Sequence, residues 1–96
     1  MPIVDYKRNA ELAEIYFFKD NKISKQFSFK SFTRALVFVN KLRPFCNRID
    51  HHPDIHIYYK KINFELQRFS IGGKVTERDF TVARQIERLY AQFSRS

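Results

Sequence analysis

The chain has 96 residues, enough for one compact domain spanning residues 1–96 and too few for two. Its apolar content is 44%, with eleven Phe, five Tyr and no Trp, which excludes a disordered polymer. The net charge of +8 raises the question of an anionic partner, yet the eighteen Lys and Arg are spread from Lys7 to Arg95 in runs no longer than two. A nucleic-acid or acidic protein partner is therefore the secondary expectation. The single cysteine, Cys46, rules out an intrachain disulfide. No secretory leader or long apolar run is visible, so the expectation is a cytoplasmic protein with no membrane association.

In chain order, Asn9 to Glu14 has the composition of a short helix, and IYFFK (Ile15 to Lys19) reads as an apolar strand. DNK (Asp20 to Lys22) is turn-like. ISKQFSF (Ile23 to Phe29) alternates, with Ile23, Lys25, Phe27 and Phe29 on one face, so the two runs predict a hairpin. Ser31 is a plausible N-cap for FTRALVFVNKLRPFCNRI. There, Phe32, Ala35, Leu36, Val39, Leu42, Cys46 and Ile49 recur at helical spacing and predict a core-facing stripe. Pro44 lies inside this segment and predicts a bend, not a boundary. Cys46, on the stripe, reads as a small buried hydrophobe.

Beyond HHP (His51 to Pro53), Ile55, Ile57 and Tyr59 alternate with polar neighbours. A tight turn at Lys60 and Lys61 then leads to Ile62, Phe64 and Leu66 on one face, with Asn63, Glu65, Gln67 and Phe69 on the other. SIGG (Ser70 to Gly73) marks a loop. TERD (Thr76 to Asp79) has the form of a capping box, with Thr76 as N-cap and Asp79 in the place of the usual Glu or Gln. The last helix carries Phe80, Ala83, Ile86, Tyr90 and Phe93 on one stripe. The fold class is thus α+β: two layers, a four-stranded antiparallel sheet with helices packed on one face, in the order (α)ββαββα.

Paired histidines before a proline are the unusual feature. Pro53 fixes its own φ and drives His52 to an extended conformation, so two imidazoles project differently from a stiff junction between helix and strand. His51, His52, His56, Asp50, Asp54 and Cys46 include zinc-ligand types, but neither CxxC nor HExxH spacing is present, and no metal is expected. No serine or cysteine stands in a nucleophile's context. What remains is acid–base chemistry, for which histidine titrates in the right range; a pair can offer one protonated and one neutral ring to an elimination such as a dehydration.

ISKQFSFKSFTRA (Ile23 to Ala35), HHP (His51 to Pro53), Tyr59 and TERD (Thr76 to Asp79), in that order, resemble the pterin-4a-carbinolamine dehydratases, also called 4a-hydroxytetrahydrobiopterin dehydratases. The resemblance runs from about Ile15 to Phe93, and its implied fold is the four-stranded sheet with helices on one face. It implies a hydro-lyase that converts 4a-hydroxytetrahydropterin to quinonoid dihydropterin plus water, recycling the pterin after aromatic amino acid hydroxylation. It further implies His51 and His52 as the catalytic acid–base groups, Pro53 holding the pair in place, and Phe69 and Asp79 at the substrate. Asp79 either orients a histidine or contacts the pterin. No cofactor is implied, and a homodimer or homotetramer is.

Three departures from the family pattern stand out. Phe69 replaces a third active-site histidine, which in some members is Trp. Asn47, four residues before His51, replaces a residue that is usually charged. The N-terminal helix is shorter than usual. The first two leave an alternative expectation: a member that has lost catalysis and serves as a protein- or nucleic-acid-binding module, as members that partner transcription factors do.

Overall fold

Four strands form one antiparallel sheet in the order β1-β2-β4-β3: β1 (Phe17–Lys19), β2 (Lys22–Ser28), β3 (Asp54–Tyr58) and β4 (Lys61–Leu66). Among the described residues two helices, α1 (Phe32–Ile49) and α2 (Glu77–Phe93), complete the order ββαββα. This computed structural model describes residues 16–19, 22–67 and 75–93. The expected helix at Asn9 to Glu14, most of the Asp20 to Lys22 turn, and the stretch from Phe69 through the SIGG loop lie outside the described residues. No helix among the described residues is long and apolar enough to cross a membrane.

Alternation sets the two faces of the sheet. Ile23 and Phe27 on β2 and Ile62, Phe64 and Leu66 on β4 are buried beneath the helices. Ser24 pairs with Glu65, and Gln26 with Asn63, on the opposite, polar face. Each fully buried aromatic or aliphatic side chain contributes roughly 1.5–3 kcal/mol by leaving water. Lys25 points inward between Ile23 and Phe27, and the position is tolerated because its Nζ reaches Glu87 Oε1 on α2 at 2.6 Å and lies 4.8 Å from the centre of the Phe27 ring.

α1 starts where expected. Ser31 is extended (φ −157°, ψ 166°) and its hydroxyl accepts the Arg34 N–H at 3.1 Å. Pro44 does not divide the helix, which runs unbroken from Phe32 to Ile49; Asn40, whose carbonyl Pro44 cannot serve, is exposed. The buried stripe, however, is Ala35, Phe38, Leu42 and Cys46, while Phe32 and Leu36 are 46% and 38% exposed. Two apolar stripes run along α1, and the one through Phe38 faces the core because its ring packs against Phe29, Phe64, Tyr90 and Phe93 at centroid distances of 5.2–6.0 Å.

The β3–β4 turn is also one residue earlier than expected. Ile57 pairs with Ile62 and Tyr58 with Lys61, which leaves Tyr59 and Lys60 as the loop, with Tyr59 at φ 58°. Tyr59 therefore does not share the apolar face of Ile55 and Ile57; it is 69% exposed. β3 is a sheet edge, and its Ile55 and Ile57 lie on the helix side but remain about a third exposed.

The end of α1 decides where the histidines go. The Asp50 N–H bonds to Asn47 O at 3.3 Å and the His51 N–H to Cys46 O at 3.1 Å, with Asp50 left-handed at φ 52°, ψ 50°. This is a Schellman termination with aspartate where glycine is usual. A left-handed L-residue costs about 1–2 kcal/mol, and a negative charge at a helix C-terminus opposes the macrodipole. Asp50→Gly is therefore expected to raise the unfolding free energy by about 1 kcal/mol, net of glycine's greater unfolded-state entropy. A urea midpoint equal to or below that of the wild type would contradict this.

Candidate active site

Five residues of α1 spaced i, i+3, i+4, i+7 and i+8 (Val39, Leu42, Arg43, Cys46 and Asn47) form one wall of a cleft of about 350 Å³. His52, Pro53 and Ile55, on the segment leaving the Asp50 cap and entering β3, form the other wall. The cleft is mainly apolar with a few polar groups, and its size is at the lower end for small-molecule sites.

His52 contributes its ring directly. Its Nε2 lies 2.9 Å from Asn47 Oδ1 across the helix end. Because an amide oxygen only accepts, Nε2 carries the hydrogen, and Nδ1 is the basic nitrogen of the neutral ring. His51 turns the other way. It is 7% exposed, it is not among the cleft-lining residues, and its Nε2 lies 2.6 Å from Asp79 Oδ1. The pair is thus split: one ring on the cleft wall, one in the interior.

Of the roles open to it in the sequence, Asp79 makes the capping-box contact and the contact with a histidine. Its Oδ2 accepts the Thr76 N–H at 2.7 Å, which is the capping-box contact, and its Oδ1 holds His51. It is fully buried and, like His51, does not line the cleft. The exposed Arg78 side chain adds a second tie between the helices, donating from Nη1 to Ile49 O at 3.3 Å.

The remaining sequence candidates fall as follows. Pro53 lines the cleft. Phe69 lies outside the described residues. His56 is on the polar face of the sheet, 3.3 Å from Glu65 Oε1, and takes no part in the cleft. Burial would push the Glu65 carboxyl up, but Lys22 and His56 outweigh it and hold the group below its ordinary value. Among the described residues no three His, Cys, Asp or Glu side chains gather as a metal site requires.

Sequence reasoning missed Arg43 and the places of Val39 and Leu42 in the cleft wall, whereas it had singled out Asn47. The signal was present: counting back by four from Asn47 gives Arg43 and Val39 on the helix face that runs into HHP. Cys46, in the same wall, is 3% exposed, and burial pushes its thiol up to about 11. It is expected to resist an aromatic disulfide reagent at pH 8 in the native protein and to react in full on unfolding. Rapid stoichiometric labelling of the native chain would contradict that.

Comparison with known proteins bears on the family and the fold. The family model for pterin 4 alpha carbinolamine dehydratase matches residues 8–89. A protein of Sulfolobus acidocaldarius that bears the name pterin-4-alpha-carbinolamine dehydratase provisionally is 39% identical over 85 residues, covering 88% of this chain and 92% of that one. One of Picosynechococcus, named in the same provisional way, is 44% identical over 70 residues, covering 73% and 75%. The crystal structure of a transcriptional coactivator/pterin dehydratase from Brucella melitensis superposes with a TM-score of 0.78 at 26% identity, covering 93% of this chain and 98% of that one. A pterin dehydratase-like protein described as a RuBisCO assembly factor in the alpha-carboxysome shares the fold, with a TM-score of 0.61 at 21% identity over 77% and 84% of the two chains. By its matched length and by its relatives, the chain belongs to the pterin 4 alpha carbinolamine dehydratase family.

Proposed function

We propose that the chain is a dehydratase that converts 4a-hydroxytetrahydropterin to quinonoid dihydropterin with release of water. The observation that carries this reading is the ring of His52 on the wall of a largely apolar cleft in a chain of this family. With Nε2 engaged by Asn47, Nδ1 is the position that exchanges protons. It takes the hydrogen of the ring nitrogen next to C4a; the C4a–O bond breaks, a C=N bond forms, and a proton delivered to the departing hydroxyl completes the water. His51 is the second member of the acid–base pair, its Nε2 fixed by Asp79 and its Nδ1 left as the exchangeable position. Pro53 stiffens the bend, and Phe69 supplies a flat apolar surface for the heterocycle.

Assembly as a homodimer or homotetramer belongs to the same reading. It is supported by Phe32 and Leu36 on α1 and by Ile55 and Ile57 on the β3 edge, which stay partly exposed.

The test is the decay of 4a-hydroxytetrahydropterin generated by an aromatic amino acid hydroxylase. Purified protein is expected to accelerate the decay in proportion to its concentration. A rate no higher than the spontaneous one would remove the reading. Pterin binding without turnover would instead favour a member that has lost catalysis; the +8 charge supports the separate reading of a protein- or nucleic-acid-binding module.

A further inference from the structure

We propose that Arg43 makes this cleft selective for reduced pterins whose ring substituent carries an acidic group, over pterins with a neutral substituent. The inference rests on the dehydratase reading of the same cleft and adds the charge of its substrate.

Of the polar groups lining the cleft among the described residues, His52 and Asn47 are bonded to each other. That leaves Arg43 as the one lining side chain that bears a fixed charge and whose donors are uncommitted. Its guanidinium makes no hydrogen bond or ion pair among the described residues. The reason lies in the sequence. The neighbours at i±3 and i±4 are Val39, Asn40, Cys46 and Asn47, and α1 contains no Asp or Glu from Phe32 to Ile49. A carboxylate one turn away on the helix would have engaged Arg43; none is provided.

The apolar walls are Val39, Leu42, Pro53 and Ile55, which suit the flat face of a bicyclic ring. Arg43 lines the same cleft of about 350 Å³ as these apolar walls, which has room for the ring and a substituent beside that charge. A planar guanidinium matches a phosphate ester or a carboxylate through two parallel N–H donors, and such charge-assisted bonds are about twice as strong as neutral ones. A hydroxylated or alkyl side chain offers nothing of the kind.

The test compares two non-reacting ligands by calorimetry: 6-hydroxymethyl-7,8-dihydropterin and its phosphate monoester. For the wild type the ester is expected to bind at least about tenfold more tightly, with the preference shrinking as salt is raised. In Arg43→Gln the ratio of the two affinities is expected to fall close to one. Inorganic phosphate alone, at the same concentration, is expected to leave the neutral pterin bound, which separates recognition of an acidic pterin from a free anion site. Equal affinities in the wild type, or an undiminished preference in Arg43→Gln, would overturn the proposal while leaving the dehydratase reading in place. Displacement of the neutral pterin by inorganic phosphate would also overturn it. Failure of both pterins to bind would overturn it together with that reading.

Discussion

His52→Ala is expected to lower the rate of 4a-hydroxytetrahydropterin dehydration by about 10²- to 10⁴-fold, the usual contribution of a positioned general acid–base group. The fold is expected to survive. The His52 ring is exposed, and its bond to Asn47 Oδ1 lies at the surface, so the stability change falls within about 0.5 kcal/mol. The control is His56→Ala, which removes an imidazole of similar exposure from the opposite face of the sheet. Its rate is expected to match the wild type. Equal losses in the two variants, or full activity in His52→Ala, would detach the chemistry from the cleft.

Asp79→Ala is expected to act on stability first. The carboxylate is wholly buried, with the His51 imidazole on one oxygen and the Thr76 N–H on the other. Removing one partner of such a buried pair costs about 3–5 kcal/mol, because the other is left without a counterpart in a medium that solvates it poorly. A domain of this size has roughly 5–15 kcal/mol in total, so the loss takes a large share of it and the unfolding midpoint should fall well below that of the wild type. Asp79→Asn keeps the volume and an acceptor for Thr76, and it is expected to lose only about 1–3 kcal/mol. It also withdraws the carboxylate that fixes the His51 tautomer, so its dehydratase rate should fall while it remains folded. Urea unfolding followed by circular dichroism measures both variants; with no Trp in the chain, fluorescence would rest on tyrosine alone. A loss below about 1 kcal/mol in Asp79→Ala would mean that the pair is dispensable.

What the sequence made legible was whatever is local. The alternation of Ile62, Phe64 and Leu66 and the Ser31 cap depend on neighbours within a turn or a strand, and each is where its pattern placed it. The rotation of α1 toward Phe38 was not legible, because two apolar stripes compete on that helix and only packing against Phe29, Phe64 and the α2 aromatics decides between them. The early β3–β4 turn hid for a related reason. Tyr59 adopts a positive φ that residue type does not announce, and the register of Ile57 on Ile62 overrides it.

In the site, His52 and Pro53 were readable from three letters of sequence. The split of the histidine pair was not. It requires a left-handed Asp50 in place of glycine, and a carboxylate 28 residues away to draw His51 inward. The Asn47 contact, five residues from His52, follows from the same cap. A departure from the family pattern thus becomes the partner of the ring at the cleft.

The most direct measurement is an imidazole nitrogen–proton correlation spectrum of histidine-labelled protein, titrated with a non-reacting 7,8-dihydropterin. The expected result is that the His52 ring signals move and saturate with the binding curve while those of His56 stay still. Saturation with His52 unmoved, or with the shifts confined to His56, would contradict a pterin site in this cleft.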